Sequence, residues 1–378
     1  MKRLDHGQSF RRAAASVLVA VAGGAVVLSV SCASPHKAPP AKEAGKELKP
    51  LGKPRPIKAR NWDQPFTPIK TLWGSYCSFI RVRPDRYEVF NNSVGGGLQD
   101  GITRFVGKSL LEYGPSEIVA KHELINDVLG PDGRLSDIRR FTRPFVAYDP
   151  RDGYFMIAHV CDGYGPRDGR VYPSFLTSKT GDPGTWTYHG RLKGEVYDQF
   201  GPEKGKSAQW ADGGGLFYQP QCPATLDREN PLQNRFLFFT NRYVDGNGLV
   251  LLISADAKEW AFYRKDGKIV NLFPPEIAAI PNCFTYVIRA GRHGWHCWFS
   301  EKWPPVAIWH VRSADGLHWE FFRGNRPEIV KPKDRFIKNL NAWYDPETDL
   351  LHGFLSVWEQ LEDKTENYRK YHSTMKDF

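Results

Sequence analysis

Long apolar runs at helical spacing are scarce in this 378-residue chain, which leaves many short strands joined by turns as the fitting profile. No Cys-x-x-Cys pair occurs, so a zinc site of the usual spacing is excluded and no metal is expected. The glycine-rich stretch "SVGGGLQDG" is not a phosphate loop, because no helix follows it. The body also lacks a strong charge of either sign. Of the net charge of +10, residues 1–31 carry +3 and residues 32–60 carry +6, leaving +1 for residues 61–378. A nucleic-acid partner is therefore not expected, and the basic tail suits an anionic membrane surface instead.

What the chain has in quantity is aromatic and turn residues: 12 Trp, 16 Tyr, 23 Phe, 35 Gly and 28 Pro, which again point to an all-β fold. The first residues stand apart. Lys2, Arg3, Arg11 and Arg12 precede the apolar run Ala13 to Val30, the pattern of an export signal over residues 1–31. Cys32 directly after it is the expected lipidation site of an exported, membrane-anchored lipoprotein; ordinary cleavage after Ala33 is the alternative. Residues 32–61 are rich in Pro and Lys and read as an extended tether. Five cysteines remain beyond Cys32, an odd number, so at least one thiol stays free unless it pairs between chains.

A repeat runs through the rest. An apolar run ending in Ser recurs at Ser109, Ser178, Ser254, Ser313 and Ser373, at intervals of 69, 76, 59 and 60 residues. "VRSADGLHWEFF" and "LISADAKEWAFY" are near-copies, and "LTSKTGDPGTWTYHG" is a looser third. Asp-Gly after an apolar run signals a hairpin. Each Ser follows two apolar segments, so the unit is a four-stranded antiparallel meander. Five units predict a five-bladed β-propeller over residues 62–378, with a β-sandwich carrying chance repeats as the competitor. Trp186, Trp260 and Trp319 recur at one repeat position and are expected in the core.

In a propeller the loops entering each first strand and those between second and third strands converge at one axial mouth. The second-to-third loops carry Asp100, Asp162, Asp245, Glu301 and Glu359, with Trp303 and Trp358 beside them. The first strands are expected to start at Ser75-Tyr76, Arg143, Gln221, Asn282 and Asn339. Carboxylates, amides, an Arg and aromatic plates around a pit suit a sugar. Asp162, Asp245, Glu301 and Glu359 are the candidate catalytic acids, since glycoside hydrolysis needs two carboxylates flanking the bond. Arg143, Gln221, Asn282, Asn339, Trp303 and Trp358 are the candidate sugar-binding residues. The plain alternative for any one acid is a solvated loop residue or turn cap, most directly for Asp100 and Asp245, which stand just before Gly. Cys77, Cys222 and Cys283 are expected at matching strand starts, as small buried residues rather than a thiol cluster holding a soft metal. No cofactor is expected.

The segment "TRPFVAYDPRDGYFMIAHVCDGYGP", followed by "SFLTSKTGDPGTWTYHG", resembles the second blade of five-bladed glycoside hydrolases of the family 43 type and its clan relatives. The resemblance covers about residues 62–378. It implies inverting hydrolysis by three carboxylates at the first-strand starts of blades 1, 3 and 2. The expected starts here read Tyr76-Cys77, Gln221-Cys222 and Thr142-Arg143, with no acid in any. The acids are then relocated to loops, or the propeller binds glycans without cleaving them. Asp198, Glu203 and Asp212, in the long connection before the third blade, are further candidates. The expected function is an exported glycoside hydrolase acting on a poly- or oligosaccharide as a monomer. A non-catalytic, lectin-like lipoprotein is the alternative, and a structural interaction propeller the third reading.

Overall fold

The computed structural model describes residues 54–92, 101–127, 134, 139–162, 171–195, 213–241, 248–302, 305–360 and 366–378. The export signal and Cys32 lie outside them, as does the tether up to residue 53. Among the described residues no helix is long and apolar enough to cross a membrane.

The chain is all-β and runs through successive antiparallel meanders. The first holds Cys77–Arg83, Arg86–Asn92 and Gly101–Ser109, with two short outer pieces, Glu112–Tyr113 and Glu117–Lys121. The second is Arg139–Asp149, Gly153–Asp162, Val171–Ser178 and Thr187–Arg191. The third is Gly214–Tyr218, Phe236–Asn241, Leu249–Ser254 and Glu259–Phe262. The fourth is Asn282–Arg289, Trp295–Glu301, Ala307–Ser313 and outer pieces at Glu320–Phe321 and Ile329–Val330. The fifth is Ile337–Asp345, Leu350–Gln360 and Glu366–Met375. Its outermost strand comes from the other end of the domain: Thr67–Trp73 pairs antiparallel with Glu366–Met375, with Thr67 opposite His372.

The repeated Ser has a physical task. Ser178, Ser254 and Ser313 each end a third strand, and each Oγ accepts the backbone N–H three residues on, from Gly181, Ala257 and Gly316, at 2.8–2.9 Å. Those three acceptor-turn residues all have positive φ, 78°, 62° and 78°. The Trp that follows is buried in each case, and its Nε1 donates back to the carbonyl of Gly181, Ala257 or Gly316 at 3.0–3.1 Å. So the Ser, the left-handed residue and the Trp lock one turn, and the Trp then fills the core. Trp186, Trp260 and Trp319 stand where the repeat places them.

The third meander departs from expectation. Its first strand is Gly214–Tyr218, not the "PQCPATL" stretch beginning at Pro220. The cause is close packing. A Cβ added at Gly213 would lie 1.9 Å from the Thr285 carbonyl oxygen, and one at Gly215 would lie 2.5 Å from that of Val287. Only glycine lets this strand approach its neighbour so closely, and a glycine run reads as a loop in sequence.

The first strands adjoin one another. Cys77–Arg83 touches both Arg139–Asp149 and Ile337–Asp345; Gly214–Tyr218 touches Arg139–Asp149 and Asn282–Arg289; and Asn282–Arg289 touches Ile337–Asp345. Apolar residues fill the space between sheets. Leu249–Ser254 and Phe236–Asn241 are buried along their whole length. Cys77, Cys222, Cys283 and Cys297 are buried. Cys222 sits in the turn after its first strand rather than at a start, so the expected alignment with Cys77 and Cys283 does not hold. Among the described residues no cluster of three His, Cys, Asp or Glu side chains suits a metal.

Candidate functional site

Three first strands carry an irregularity at the same place, near their starts. The ladder slips between Thr142 and Phe145, between Cys283 and Tyr286, and between Ile337 and Leu340. Within the first two slips Arg143 and Phe284 adopt left-handed backbone, φ 52° and 51°. A bulky side chain at positive φ is strained, and bulges re-aim side chains. The Asn92 side chain holds the Arg143 bulge from the neighbouring meander. Its Oδ1 accepts the Arg143 N–H at 2.6 Å and its Nδ2 donates to Thr142 Oγ1 at 3.0 Å.

The re-aimed groups meet at Tyr76. The Phe284 ring stands edge-on to it, centroids 5.6 Å apart. Arg143 Cζ lies 5.4 Å from the Tyr76 centroid and Lys338 Nζ lies 4.5 Å from it. Lys338 Nζ also lies over Phe284 at 5.1 Å and Tyr368 at 4.9 Å, and donates to Ser75 Oγ at 3.4 Å. A second ammonium arrives from the third strand of the fifth meander. Lys370 Nζ, fully buried, donates to Ser75 O at 3.0 Å, Asn341 Oδ1 at 2.6 Å and Ser356 Oγ at 2.7 Å. Burial draws the Lys370 pKa down, opposed by the Cys77 thiol beside it. Burial pushes the Cys77 thiol up, and Lys370 opposes that.

Amides complete the layer. Asn241 Nδ2 approaches Asn282 Oδ1 at 3.5 Å, and Asn339 Nδ2 donates to Asn341 Oδ1 at 3.1 Å. Asn282 Nδ2, Asn339 Oδ1 and Thr285 Oγ1 are buried and have no hydrogen-bond partner among the described residues. His159, opposite Thr142, is fully buried; burial and then the Arg143 charge push its pKa down to about 3, so its imidazole is neutral.

Of the expected sugar-binding residues, Arg143, Asn282 and Asn339 stand in this layer. Gln221 does not. It lies exposed in the turn after the third meander's first strand, because that strand runs over Gly214–Tyr218. There it lines a separate cavity of about 360 Å³ with Gln219, Cys222, Arg289 and Asp315. Trp358 is half-buried, edge-on to Tyr368 at 4.9 Å. Trp303 lies outside the described residues.

The candidate acids fare differently. Glu301 ends a second strand opposite Asn282, and its Oε2 accepts the Trp309 indole N–H at 3.0 Å. Trp309 packs on Phe321 of the outer strand, so this carboxylate leans along the sheet. Glu359 is buried and accepts the Tyr371 hydroxyl. It pairs with Arg369 at 2.7 Å and Arg335 at 3.9 Å. Asp162 ends the second strand of the second meander opposite Arg139. Asp245 lies outside the described residues, as do Asp100, Asp198, Glu203 and Asp212. With the third meander's first strand beginning at Gly214, Asp212 is the acid nearest to that start in sequence.

Sequence reasoning missed Lys338, Lys370 and Phe284. Lys370 carried a readable signal. Three residues before the repeated Ser, the other meanders have Val106, Phe175, Leu251 and His310; only here is the position a lysine. No comparable signal marks Phe284, whose role depends on the bulge.

No protein-family model matches the chain, and no curated protein sequence matches it. Solved structures do. A glycoside hydrolase superposes with TM-score 0.52 at 13% identity, over 85% of this chain and 93% of that one. An exo-β-1,3-galactanase from Clostridium thermocellum gives 0.51 at 12%, over 82% and 61%. An N-acetylgalactosamine deacetylase from F. plautii, bound to blood group B trisaccharide, gives 0.51 at 10%, over 86% and 91%. At these identities the likeness is one of fold. The resemblance to family 43-type hydrolases read from the second meander therefore holds at the level of fold.

Proposed function

We propose that the five meanders are the blades of a closed five-bladed propeller, and that the protein is an exported glycoside hydrolase. Closure is supported by the contacts among first strands, in which each of the five meets two others. The observation that carries the functional reading is the convergence of Arg143, Lys338 and Phe284 on Tyr76 through strained bulges. Strain of this kind gathers where a ligand is held. It occurs where the starts of the first strands face the ends of the second strands, which carry Asp162, Glu301 and Glu359 rather than the loops expected for them, while Asp245 falls in the connection after Asn241. Aromatic faces, amides and cations there fit a saccharide ring and its substituents.

Structural neighbours named as galactan-cleaving enzymes make β-1,3-linked galactans the first substrates to try. Hydrolysis requires two carboxylates about 6.5–9.5 Å apart for inversion. In this reading they come from Asp162, Asp212, Asp245 and Glu301. Turnover of any glycan by the purified protein, lost in one amide variant of these four while oligosaccharide binding persists, supports it. Full activity in all four variants overturns it.

A second reading, a carbohydrate-binding propeller without turnover, is favoured by one observation. Glu359 is committed to Arg369 and Arg335, and Glu301 to Trp309, so neither described acid is poised in the Tyr76 layer. Binding with no turnover on any glycan tested selects this reading. For the N-terminus we infer lipidation at Cys32 and membrane attachment through the tail. Mass spectrometry of the exported protein tests this, and an unmodified N-terminus at Ser34 rules it out.

A further inference from the structure

We propose that the cavity beside Gln221, at the far end of the fourth meander's first strand, is an accessory binding site for a neutral saccharide. This rests on the carbohydrate reading above and adds a second site to it.

The cavity, of about 360 Å³, lies between the third and fourth meanders, with Gln219, Gln221, Gln233, Arg289, Trp295 and Asp315 in its lining. Arg289 stands seven residues beyond Asn282 on one strand, about 23 Å away at ordinary extended spacing. Asn282 belongs to the Tyr76 layer, so the two places are separate sites.

Arg289 is exposed yet held in position. Its Cζ lies 5.4 Å from the Trp295 ring centroid, and its Nη1 donates to Gln219 Oε1 at 3.3 Å. Gln219 is itself buried. Its Nε2 donates to the carbonyls of Leu232 at 2.9 Å and Asn234 at 2.8 Å, which fixes the direction of its amide. Asp315 is held by its own turn, its Oδ1 accepting the N–H groups of Leu317 at 2.9 Å and His318 at 2.8 Å. Groups placed before a ligand arrives lose little freedom on binding. The repeat does not require this arrangement. The pairs closing the equivalent hairpin are Arg83–Arg86, Asp149–Gly153, Tyr218–Phe236 and Asp345–Leu350; an Arg–Trp pair closes it only in the fourth meander.

The lining selects the class of ligand. Its charged members are Arg289 and Asp315, one of each sign, so a charged ligand meets an attractive and a repulsive group together. Gln221 and Gln233 are exposed there, and each carries both a carbonyl oxygen and an NH₂. Donors and acceptors of both kinds beside an indole suit ring hydroxyls, which donate and accept at once.

The test is calorimetric titration of the full chain with neutral tetrasaccharides of β-1,3-galactan, arabinan and xylan, and with a galacturonate tetrasaccharide. The expected result is two saccharides bound per chain for at least one neutral probe. Arg289→Ala and Gln221→Ala are each expected to weaken one of the two by about tenfold, the scale of one lost hydrogen bond to a polar or charged group, and to spare the other. Arg143→Gln is expected to do the converse. Should Arg289→Ala fail to fold for want of its Trp295 contact, Gln221→Ala decides, because Gln221 is exposed in a turn. Full affinity for every bound saccharide in both variants overturns this inference and leaves the carbohydrate reading of the Tyr76 layer standing. Tighter binding of galacturonate at the Gln221 cavity also overturns it. A single bound saccharide, lost in these two variants and kept in Arg143→Gln, supports it and removes binding from the Tyr76 layer. If no glycan binds at all, both fall.

Discussion

Lys338 Nζ lies 4.5 Å from the centroid of the Tyr76 ring, although the two residues stand in the last and first meanders of the domain. An ammonium over an aromatic face is attracted by the ring quadrupole. The contact thus joins the two ends of the chain's repeat at the layer where the site is proposed. It also ties a candidate ligand group to the contact between the first and last meanders, so substitutions here must be read with a stability measurement beside them.

The turn lock gives the first prediction. Ser313 Oγ accepts the Gly316 N–H at 2.8 Å, and Gly316 has φ 78° with Trp295 Nε1 2.9 Å from where its Cβ would be. Ser313→Ala is expected to lose about 1 kcal/mol for the missing bond. Gly316→Ala is expected to lose about 1–2 kcal/mol for the left-handed strain alone. Ala257 occupies the equivalent position at φ 62°, so Ala257→Gly is expected to be neutral or to gain up to about 1 kcal/mol, strain relief being opposed by chain entropy. Urea unfolding of the three variants checks this, and equal losses in all three would contradict a shared lock.

The buried histidines give the second. Burial holds His352 at about 4 and His372 at about 3, and these two rings bond to each other at 2.9 Å; His159 is also at about 3. Each is therefore neutral in the fold but gains a proton in the unfolded chain near pH 6.5. The unfolded state binds more protons below that value. Stability is then fully present above about pH 6.5 and falls as pH drops toward 4, by up to about 1.4 kcal/mol per pH unit per histidine. Thermal melts between pH 7 and 5 read this before carboxylates titrate. Replacing His159 by Gln should make the slope shallower by one proton. An unchanged slope would show that His159 is protonated in the fold.

Much of the fold was legible because its signals are local. Each Ser and the Trp that follows it flank one turn, so Ser178, Ser254 and Ser313 could be counted from the sequence. The first strand of the third meander was not legible, because Gly213 and Gly215 answer to a neighbouring strand rather than to their own sequence. The site was legible in part. Arg143, Asn282 and Asn339 followed from the register, but Lys338 and Phe284 depend on bulges that shift the strand phase. The pairing of Thr67–Trp73 with the last strand leaves no local trace at all.

Glu359 supports a third prediction, which separates structure from catalysis. Its carboxylate is 8% exposed and faces Arg369 and Arg335. Glu359→Gln leaves two guanidinium groups without their counter-charge and is expected to cost about 3 kcal/mol or more. Glu301→Gln keeps an amide oxygen that can accept the Trp309 indole N–H and loses only the charge of that acceptor, so it is expected to cost about 1 kcal/mol or less. Denaturation and turnover should be measured on the same samples. A Glu359→Gln protein of unchanged stability and abolished turnover would make Glu359 a catalytic acid after all.

The last prediction concerns closure. Thr67–Trp73 is the outer strand of the fifth meander, and it is supplied by the start of the domain. Without it, Glu366–Met375 becomes an unpaired edge, open to pairing with another chain. Leu72 on this strand is fully buried, in a cluster with Phe79, Val89 and Phe354 from the first and fifth meanders. Leu72→Ala is therefore expected to cost about 2–5 kcal/mol, the usual range for a core leucine. Deleting residues 1–73 is expected to do more, giving aggregation rather than a smaller folded protein. Deleting residues 1–53 spares the strand and its buried Leu72, and is expected to leave the melting temperature within about 2 °C of the full chain. The three proteins can be compared by size-exclusion chromatography and thermal melts. A stable monomer lacking residues 1–73 would mean that the fifth meander stands without its borrowed strand, and closure would then have to come from the first-strand contacts alone.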